Sequence, residues 1–304
     1  MSAIIAQPVQ RSWFQRNQIR LAPWLFLAPG LTLFAIYVLI PIIQSIWISF
    51  YDWDGLGEAK WIGLANYIEL FDDNSFYTSL QNNIIWLVLY LLSVPAGMAM
   101  ALFLNQTVTG IRLYKSLFFF PFVISQVVVG LMFTWFYAPN FGLLSGVIKW
   151  ITGSNVAVLA DEHYATYAII VAGLWPQIAY IMILYLTGLN NINPEQVEAA
   201  RMDNAKSWRL LWYIVIPQLR PATFIAIVVT VIGALRSFDL VSVMTHGGPY
   251  GSTRVLSYFM YEQALSEYGF RMGYGAAVAV VLFLIMMVFI TYFITRMLQQ
   301  ERNS

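Results

Sequence analysis

Residues 198–208 read EAARMDNAKSW, a charged, alanine-rich stretch set between two long apolar runs. It lies within residues 191–221, NINPEQVEAARMDNAKSWRLLWYIVIPQLRP, whose punctuation is that of two short helices meeting at a bend. Asn193 suits an N-cap, and Pro194 suits the first helical position, where no amide donor is needed. Glu195 places negative charge at the positive end of the helix, and Gln196 gives a spacing like a capping box. Val197, Ala199 and Ala200 are compact and let the helix sit close to another surface. Asn204 stands where a left-handed residue would end the helix, a role asparagine fills second to glycine. Ser207 can cap a second helix carrying the apolar Trp208, Leu211, Trp212 and Ile214, and Pro217 and Pro221 punctuate the entry into the next run. The residues alone leave two readings open: a docking surface for another protein, or an amphipathic hairpin resting on the lipid interface.

The surrounding chain decides the class. Of 304 residues, 60% are hydrophobic and 10% charged, against roughly 25% charged in soluble domains. Apolar runs of about 20 residues, enough to cross a bilayer core, fall at Pro23–Phe50, Ile84–Leu104, Leu117–Tyr137, Ala165–Leu189, Ala222–Met244 and Gly275–Thr295. The expected fold is therefore an all-α membrane protein with six transmembrane helices. The first run is too long for a signal-peptide core and reads as a retained helix. With no cysteine, disulfides, thiolate metal sites and cysteine nucleophiles are excluded. His163 and His246 are far apart and read as loop residues, so no zinc site is expected. There is no P-loop, and no basic tract points to nucleic acid.

Orientation follows from lysine and arginine. Arg11, Arg16, Arg20, Arg112, Lys115, Arg201, Lys206, Arg209, Arg220, Arg296 and Arg302 fall on one side. Lys60, Lys149, Arg254 and Arg271 fall on the other, among Asp52, Asp54, Glu58, Glu69, Asp72, Asp73, Asp161, Glu162, Glu262 and Glu267. Both termini and the loops near 105–116 and 190–221 are thus expected in the cytoplasm. The outward loops near 51–82, 138–164 and 245–274 read as short interfacial helices and turns that an external partner can meet, or as plain aromatic anchoring. No internal repeat is evident. Residues 1–22 read as a cytoplasmic N-terminal segment and 23–304 as a single transmembrane domain, with its core at about 80–296 and the jointed loop at 191–221.

Glu198-Ala199-Ala200, three residues, Asn204, nine residues, then Ile214-Val215-Ile216-Pro217 resembles the EAA motif of binding-protein-dependent ABC importer permeases. The family pattern has glycine where this chain has Asn204 and leucine where it has Ile216. Asparagine tolerates the left-handed geometry, and isoleucine is an isomer of leucine. LAPGLTLFAIYVLIPIIQSIWISFYDWDG (27–55), WIGLANYIELFDD (61–73) and THGGPYGSTRVLSYFMYEQAL (245–265) are similar to carbohydrate-type members, of the kind found in maltose and glycerol-phosphate uptake.

The resemblance implies a type I ABC importer permease fold with a cytoplasmic coupling helix, in a bacterial or archaeal plasma membrane. It implies as partners a second permease subunit, two ATPase subunits, an extracytoplasmic solute-binding protein and membrane lipid. No cofactor would sit in this chain, ATP and Mg being held by the ATPase subunits. Glu198, Ala199, Ala200, Asp203, Asn204 and Ala205 would form the ATPase-coupling contact, with Glu198 meeting a basic residue of the ATPase. The chain itself would be a non-catalytic transport subunit for a sugar or sugar derivative.

Polar residues inside spans are costly and mark sites. In GLWPQIAYIM (173–182), Pro176 removes a backbone donor, and Gln177 and Tyr180 share a face. The family resemblance places Gly173, Gln177 and Tyr180 at the sugar, the alternative being simple packing of the kink. In GALRSFDLVSVM (233–244), Arg236 and Asp239 are three apart. They either pair with each other, which makes burial tolerable, or Arg236 holds an anionic group of the substrate. Phe118, Phe119, Phe120 and Phe122 read as lipid-facing or packing rings, and Gly97, Gly130 and Gly233 as points of close helix contact. An ion-coupled carrier acting alone would need intramembrane carboxylates or paired broken helices, and only Asp239 offers anything similar. A membrane enzyme lacks any supporting constellation.

Overall fold

The computed structural model describes residues 13–106, 108–266 and 270–303. Arg11 and Glu267 of the charge pattern lie outside the described residues, as do the side chains of Arg16, Arg20, Ser207 and Arg302.

Among the described residues, five helices are long and apolar enough to cross a membrane: Ala22–Ile48, Asn74–Leu104, Ala165–Asn190, Arg220–Met244 and Met272–Gln299. A bent pair, third in chain order, Ile111–Val123 and Gln126–Phe136, turns by 95° and, counted as one broken span, is the sixth candidate crossing. These are the first to sixth spans below. The third was expected as one helix over Leu117–Tyr137. It breaks because Ile124 takes an extended conformation (ψ 138°) and Ser125 caps the next helix, its hydroxyl accepting the Val128 N–H at 3.4 Å. The run FFFPFVISQVVV (118–129) is apolar but for Ser125 and Gln126, and hydropathy averaged over it conceals that break.

The second span begins at Asn74, ten residues before the expected Ile84. Asp73 caps it by accepting the Ser75 N–H at 2.7 Å. Asn82 and Asn83, which read as loop residues, are buried helix residues. Asn82 donates to the carbonyls of Ser252 (2.6 Å) and Arg254 (2.7 Å), and Asn83 accepts the Leu256 N–H at 2.8 Å. Two asparagines thus supply the partners that a backbone leaving its helix requires. They fasten the 252–256 segment to the second span.

The carboxylate-rich loops carry short helices, as expected: Ala65–Asp72, Leu143–Thr152 and Leu256–Leu265. They also carry an unanticipated antiparallel ribbon pairing Tyr51 with Trp61 and Asp52 with Lys60. Arg271 bonds Glu69 at 2.6 Å and Tyr274 donates to Asp73 at 2.9 Å, tying the sixth span to the second and its preceding helix.

The fourth span is the hub. Half of its apolar window is buried, whereas the first span buries none of its own. One core cluster gathers Trp86, Tyr90, Val129, Ile169, Val241 and Val255; a second gathers Ala101, Ile181, Met182, Tyr185, Leu219 and Ala226. At Gly97 a β-carbon would stand 2.7 Å from Ile181 Cγ2 and 2.9 Å from the Met182 backbone nitrogen, so the second span meets both side chain and backbone of the fourth there. Gly130 is tight against Val243. Gly233 is not a close contact: the nearest atom to a β-carbon would be the Gln177 side-chain oxygen at 3.9 Å. Of the phenylalanines, Phe119 packs on the second cluster and Phe122 stacks on Tyr180, while Phe118 and Phe120 are exposed.

Candidate functional sites: a jointed loop and a polar cavity

The helix Pro194–Met202 opens on Asn193, whose side chain accepts the Glu195 N–H at 2.9 Å. The N–H of Asn193 itself goes to Gln218 Oε1, at 3.0 Å. The partner is thus not Gln196, as a capping box would have it, but a residue from the far end of the loop. At the other terminus Asn204 is left-handed (φ 57°), the Ala205 N–H reaches the Ala200 carbonyl at 3.0 Å, and the Asn204 N–H reaches the Arg201 carbonyl at 3.0 Å. These are the two bonds of a Schellman closure, which satisfies carbonyls that a helix end otherwise strands. The chain then runs helically through Ser207–Leu210, a π turn at Leu211–Val215, and Ile216–Gln218.

Glu198, Ala199, Asp203 and Asn204 are exposed, Met202 is 87% exposed, and Ala200 and Ala205 are half-buried. Glu198 and Arg201 also line a cleft of about 720 Å³, whose far wall includes Asn105 and Gln106. Trp208 and Trp212 meet edge to face at 5.5 Å and remain largely exposed.

The second site is a cavity of about 120 Å³ lined by Trp86, Tyr90, Gln126, Gln177, Gly233, Arg236, Ser237, Phe238, Asp239 and Leu240. Two helix breaks converge on it. Gln126 opens the second half of the third span, and Arg236–Phe238 interrupt the fifth between Leu235 and Asp239. Of the two readings left open for Arg236, the pairing with Asp239 is not formed: no ion pair joins them among the described residues, and both are exposed at the cavity. The physical reason is the break. Phe238 leaves the helical region (φ −140°), so the i,i+3 geometry that would align the two side chains is lost.

The three residues expected from the fourth span separate. Gln177 lines the cavity and donates to Thr230 Oγ1 at 3.1 Å. Gly173 faces Tyr90 and Leu240 instead. A β-carbon there would lie 2.1 Å from the Tyr90 hydroxyl oxygen, so the glycine makes room for that ring. Tyr180 stacks on Phe122, ring centroids 4.7 Å apart, away from the cavity lining. Sequence reasoning missed Trp86, Tyr90, Gln126, Ser237 and Phe238. Gln126 was discoverable, since it is an amide inside an apolar run.

The protein family described as the binding-protein-dependent transport system inner membrane component matches residues 93–303. A protein of Pyrococcus horikoshii named as a probable ABC transporter permease is 37% identical over 276 residues, 87% of this chain and 91% of its own length. The lactose transport system permease protein of Rhizobium radiobacter is 31% identical over 289 residues, 92% of this chain and 94% of its own. Among solved structures, a chain of a bacterial alginate ABC transporter, in complex with an alginate pentasaccharide-bound periplasmic protein, superposes with a TM-score of 0.81. It is 21% identical, covers 93% of this chain and 96% of its own, and establishes the ABC importer permease fold. The helices, the breaks and the jointed loop described above are therefore those of a transport permease, and this chain belongs to the binding-protein-dependent transport system inner membrane component family.

Proposed function

We propose that this permease subunit forms half of the pathway of an ATP-driven sugar importer. Its partners would be a second permease, two ATPase subunits that hold ATP and Mg, and an extracytoplasmic solute-binding protein. The observation that carries the sugar reading is the chemistry of the cavity. Two amides (Gln126 and Gln177), a guanidinium, a carboxylate and a serine stand among Trp86, Tyr90 and Phe238. Vicinal hydroxyls need donors and acceptors side by side, and the C–H faces of a pyranose suit aromatic rings; a few placed polar groups in an apolar frame fix orientation. The lactose and alginate named for the two relatives are of the same chemical class.

The jointed loop would be the ATPase contact, with Glu198, Ala199, Ala200, Asp203, Asn204 and Ala205 at its centre. Its support is an exposed face of small and acidic residues on a helix closed at both ends. The excess of lysine and arginine on this side supports a cytoplasmic location for the loop and both termini. ATP-driven closure of the ATPases would move the loop and tilt the spans around the cavity. The test is reconstitution of the co-purified complex in proteoliposomes. Uptake of one sugar from a panel should require both ATP and the binding protein, and uptake that persists without ATP would refute the proposal.

A further inference from the structure

The fourth and fifth spans run antiparallel from the jointed loop to the cavity, and a ladder of contacts joins them along that whole length. At the loop, the Asn193 N–H donates to Gln218 Oε1 at 3.0 Å. One step deeper, Gly188 receives Leu219 and Ala222 so closely that a β-carbon would lie 2.9 Å from the Ala222 methyl and 3.0 Å from Leu219 Cδ2. Next, the Tyr185 hydroxyl donates to Thr223 Oγ1 at 3.0 Å, which in turn donates to the Leu219 carbonyl at 3.0 Å. At the top, Gln177 donates to Thr230 at 3.1 Å and lines the cavity. Between Gln177 and Asn190 the fourth span rises about 20 Å at the helical pitch.

We infer that these two spans are one rigid lever linking loop to cavity, and that Gln218 is the positioning residue that closes its cytoplasmic end. The inference rests on the proposal that the loop docks on the ATPase, and adds which residues make the docked motion reach the substrate. Gln218 has a signature of this role. Its Nε2 is buried without a partner among the described residues, a cost that an apolar side chain of the same size would not incur. What the amide supplies is its oxygen, the acceptor for the Asn193 N–H. The reverse orientation would set two donors face to face. Removing that acceptor frees the first turn of Pro194–Met202 from Ile216–Gln218, the turn that leads into the fifth span, so the loop can follow the ATPase while the spans stay behind.

The absence of cysteine from this chain makes the test direct. In the co-purified complex, Ser237→Cys reports the cavity through its labelling rate with a membrane-impermeant maleimide, with and without trapping by Mg-ATP and vanadate. Trapping should change the rate at least about fivefold. In Gln218→Met, which keeps size and loses the acceptor, the change should fall below about twofold while ATP hydrolysis stays within about twofold. Gln218→Glu, which keeps an acceptor, should recover it. Thr223→Val, which cuts the next rung, should weaken the change as Gln218→Met does. A full trapping response in Gln218→Met, or no response in the Ser237→Cys parent, overturns the lever. Separately, Met202→Cys should cross-link to the ATPase; failure there rejects the docking proposal itself, whatever Gln218 does.

Discussion

Asn204 offers the sharpest test of the jointed loop, because the structure fixes both its strain and the bonds at stake. Its φ of 57° lies where an L side chain costs roughly 1–2 kcal/mol, a cost asparagine meets in part through its short polar side chain. The closure it enables is two backbone bonds at 3.0 Å, Ala205 to Ala200 and Asn204 to Arg201. Each contributes about 0.5–1.5 kcal/mol net, so the closed bend is held by about 1–3 kcal/mol. A β-branched residue is a true outlier in this region, and Asn204→Val should remove about 1–2 kcal/mol of that. The open population would then rise by about 5- to 30-fold. Asn204→Gly should move it the other way. Hydrogen exchange at the Ala205 amide, measured by mass spectrometry on the co-purified complex, reads the opening directly. Faster exchange in Asn204→Val, slower exchange in Asn204→Gly and matching changes in uptake per ATP are expected. If Asn204→Val leaves the Ala205 amide as protected as before, the bend is not held by this closure and the argument fails.

Arg236→Gln keeps hydrogen-bonding capacity but removes a charged donor from the cavity, a change of about 1.5–3 kcal/mol in one bond. Uptake of the preferred sugar should fall at least about tenfold, with a larger loss for an acidic sugar than for a neutral one if Arg236 holds an anionic group; unaltered uptake of both would remove Arg236 from the site. Gly173→Ala should destabilise by about 1–3 kcal/mol through overpacking, since the new methyl would meet the Tyr90 hydroxyl oxygen at 2.1 Å. Adding Tyr90→Phe removes the contact at 2.1 Å and leaves Leu240 Cδ1 at 2.8 Å and the ring carbon at 3.1 Å, so it should restore part of the melting temperature in detergent; no rescue would show that the Tyr90 hydroxyl does not set the tightness at Gly173. Asn82→Leu strands the Arg254 carbonyl, at about 1–3 kcal/mol, while the Ser252 carbonyl keeps the Thr166 hydroxyl at 3.2 Å; it should expose the 252–256 segment to limited proteolysis, and equal resistance in both proteins would reject the fastening role.

What the sequence disclosed and what it hid divide along a physical line. Caps and left-handed turns depend on residues a few positions apart, so Asn193, Pro194 and Asn204 are readable in place, and the structure shows the geometry they imply. Apolar length is equally local, which is why the spans are found. The partner of the Asn193 amide is 25 positions away at Gln218, and no local spacing could name it over Gln196. The same limit applies to Asn82 and Asn83. Hydropathy counts them as solvent-seeking, whereas backbone groups some 170 positions later satisfy them inside the helix, two carbonyls for Asn82 and the Leu256 N–H for Asn83. For Gly173, Gln177 and Tyr180, periodicity supplied the angle around the axis but not the depth along it. Gly173 and Tyr180 are about 10 Å apart in rise, and different neighbours, Tyr90 and Phe122, meet them.

The placement of stiffness and of breaks then has a mechanical sense. Both interrupted spans open at the cavity, where the fifth span frees the Ser237 carbonyl and a hydroxyl from Ser257 takes it. Asn83 of the second span donates to the Leu235 carbonyl at 3.5 Å, on the other side of the same break. The interruptions are therefore partnered, and they can rearrange by exchanging side-chain bonds without stranding a buried carbonyl. Between cavity and loop the opposite holds: the fourth span is unbroken from Ala165 to Asn190 even through Pro176, and its contacts with the fifth leave no space for a methyl at Gly188. A displacement entering at the loop meets a stiff pair of rods first and the compliant joints last. On the proposed function, deformation would concentrate at the cavity lined by Gln126, Gln177, Arg236 and Asp239, because the spans are broken there and continuous between it and the loop.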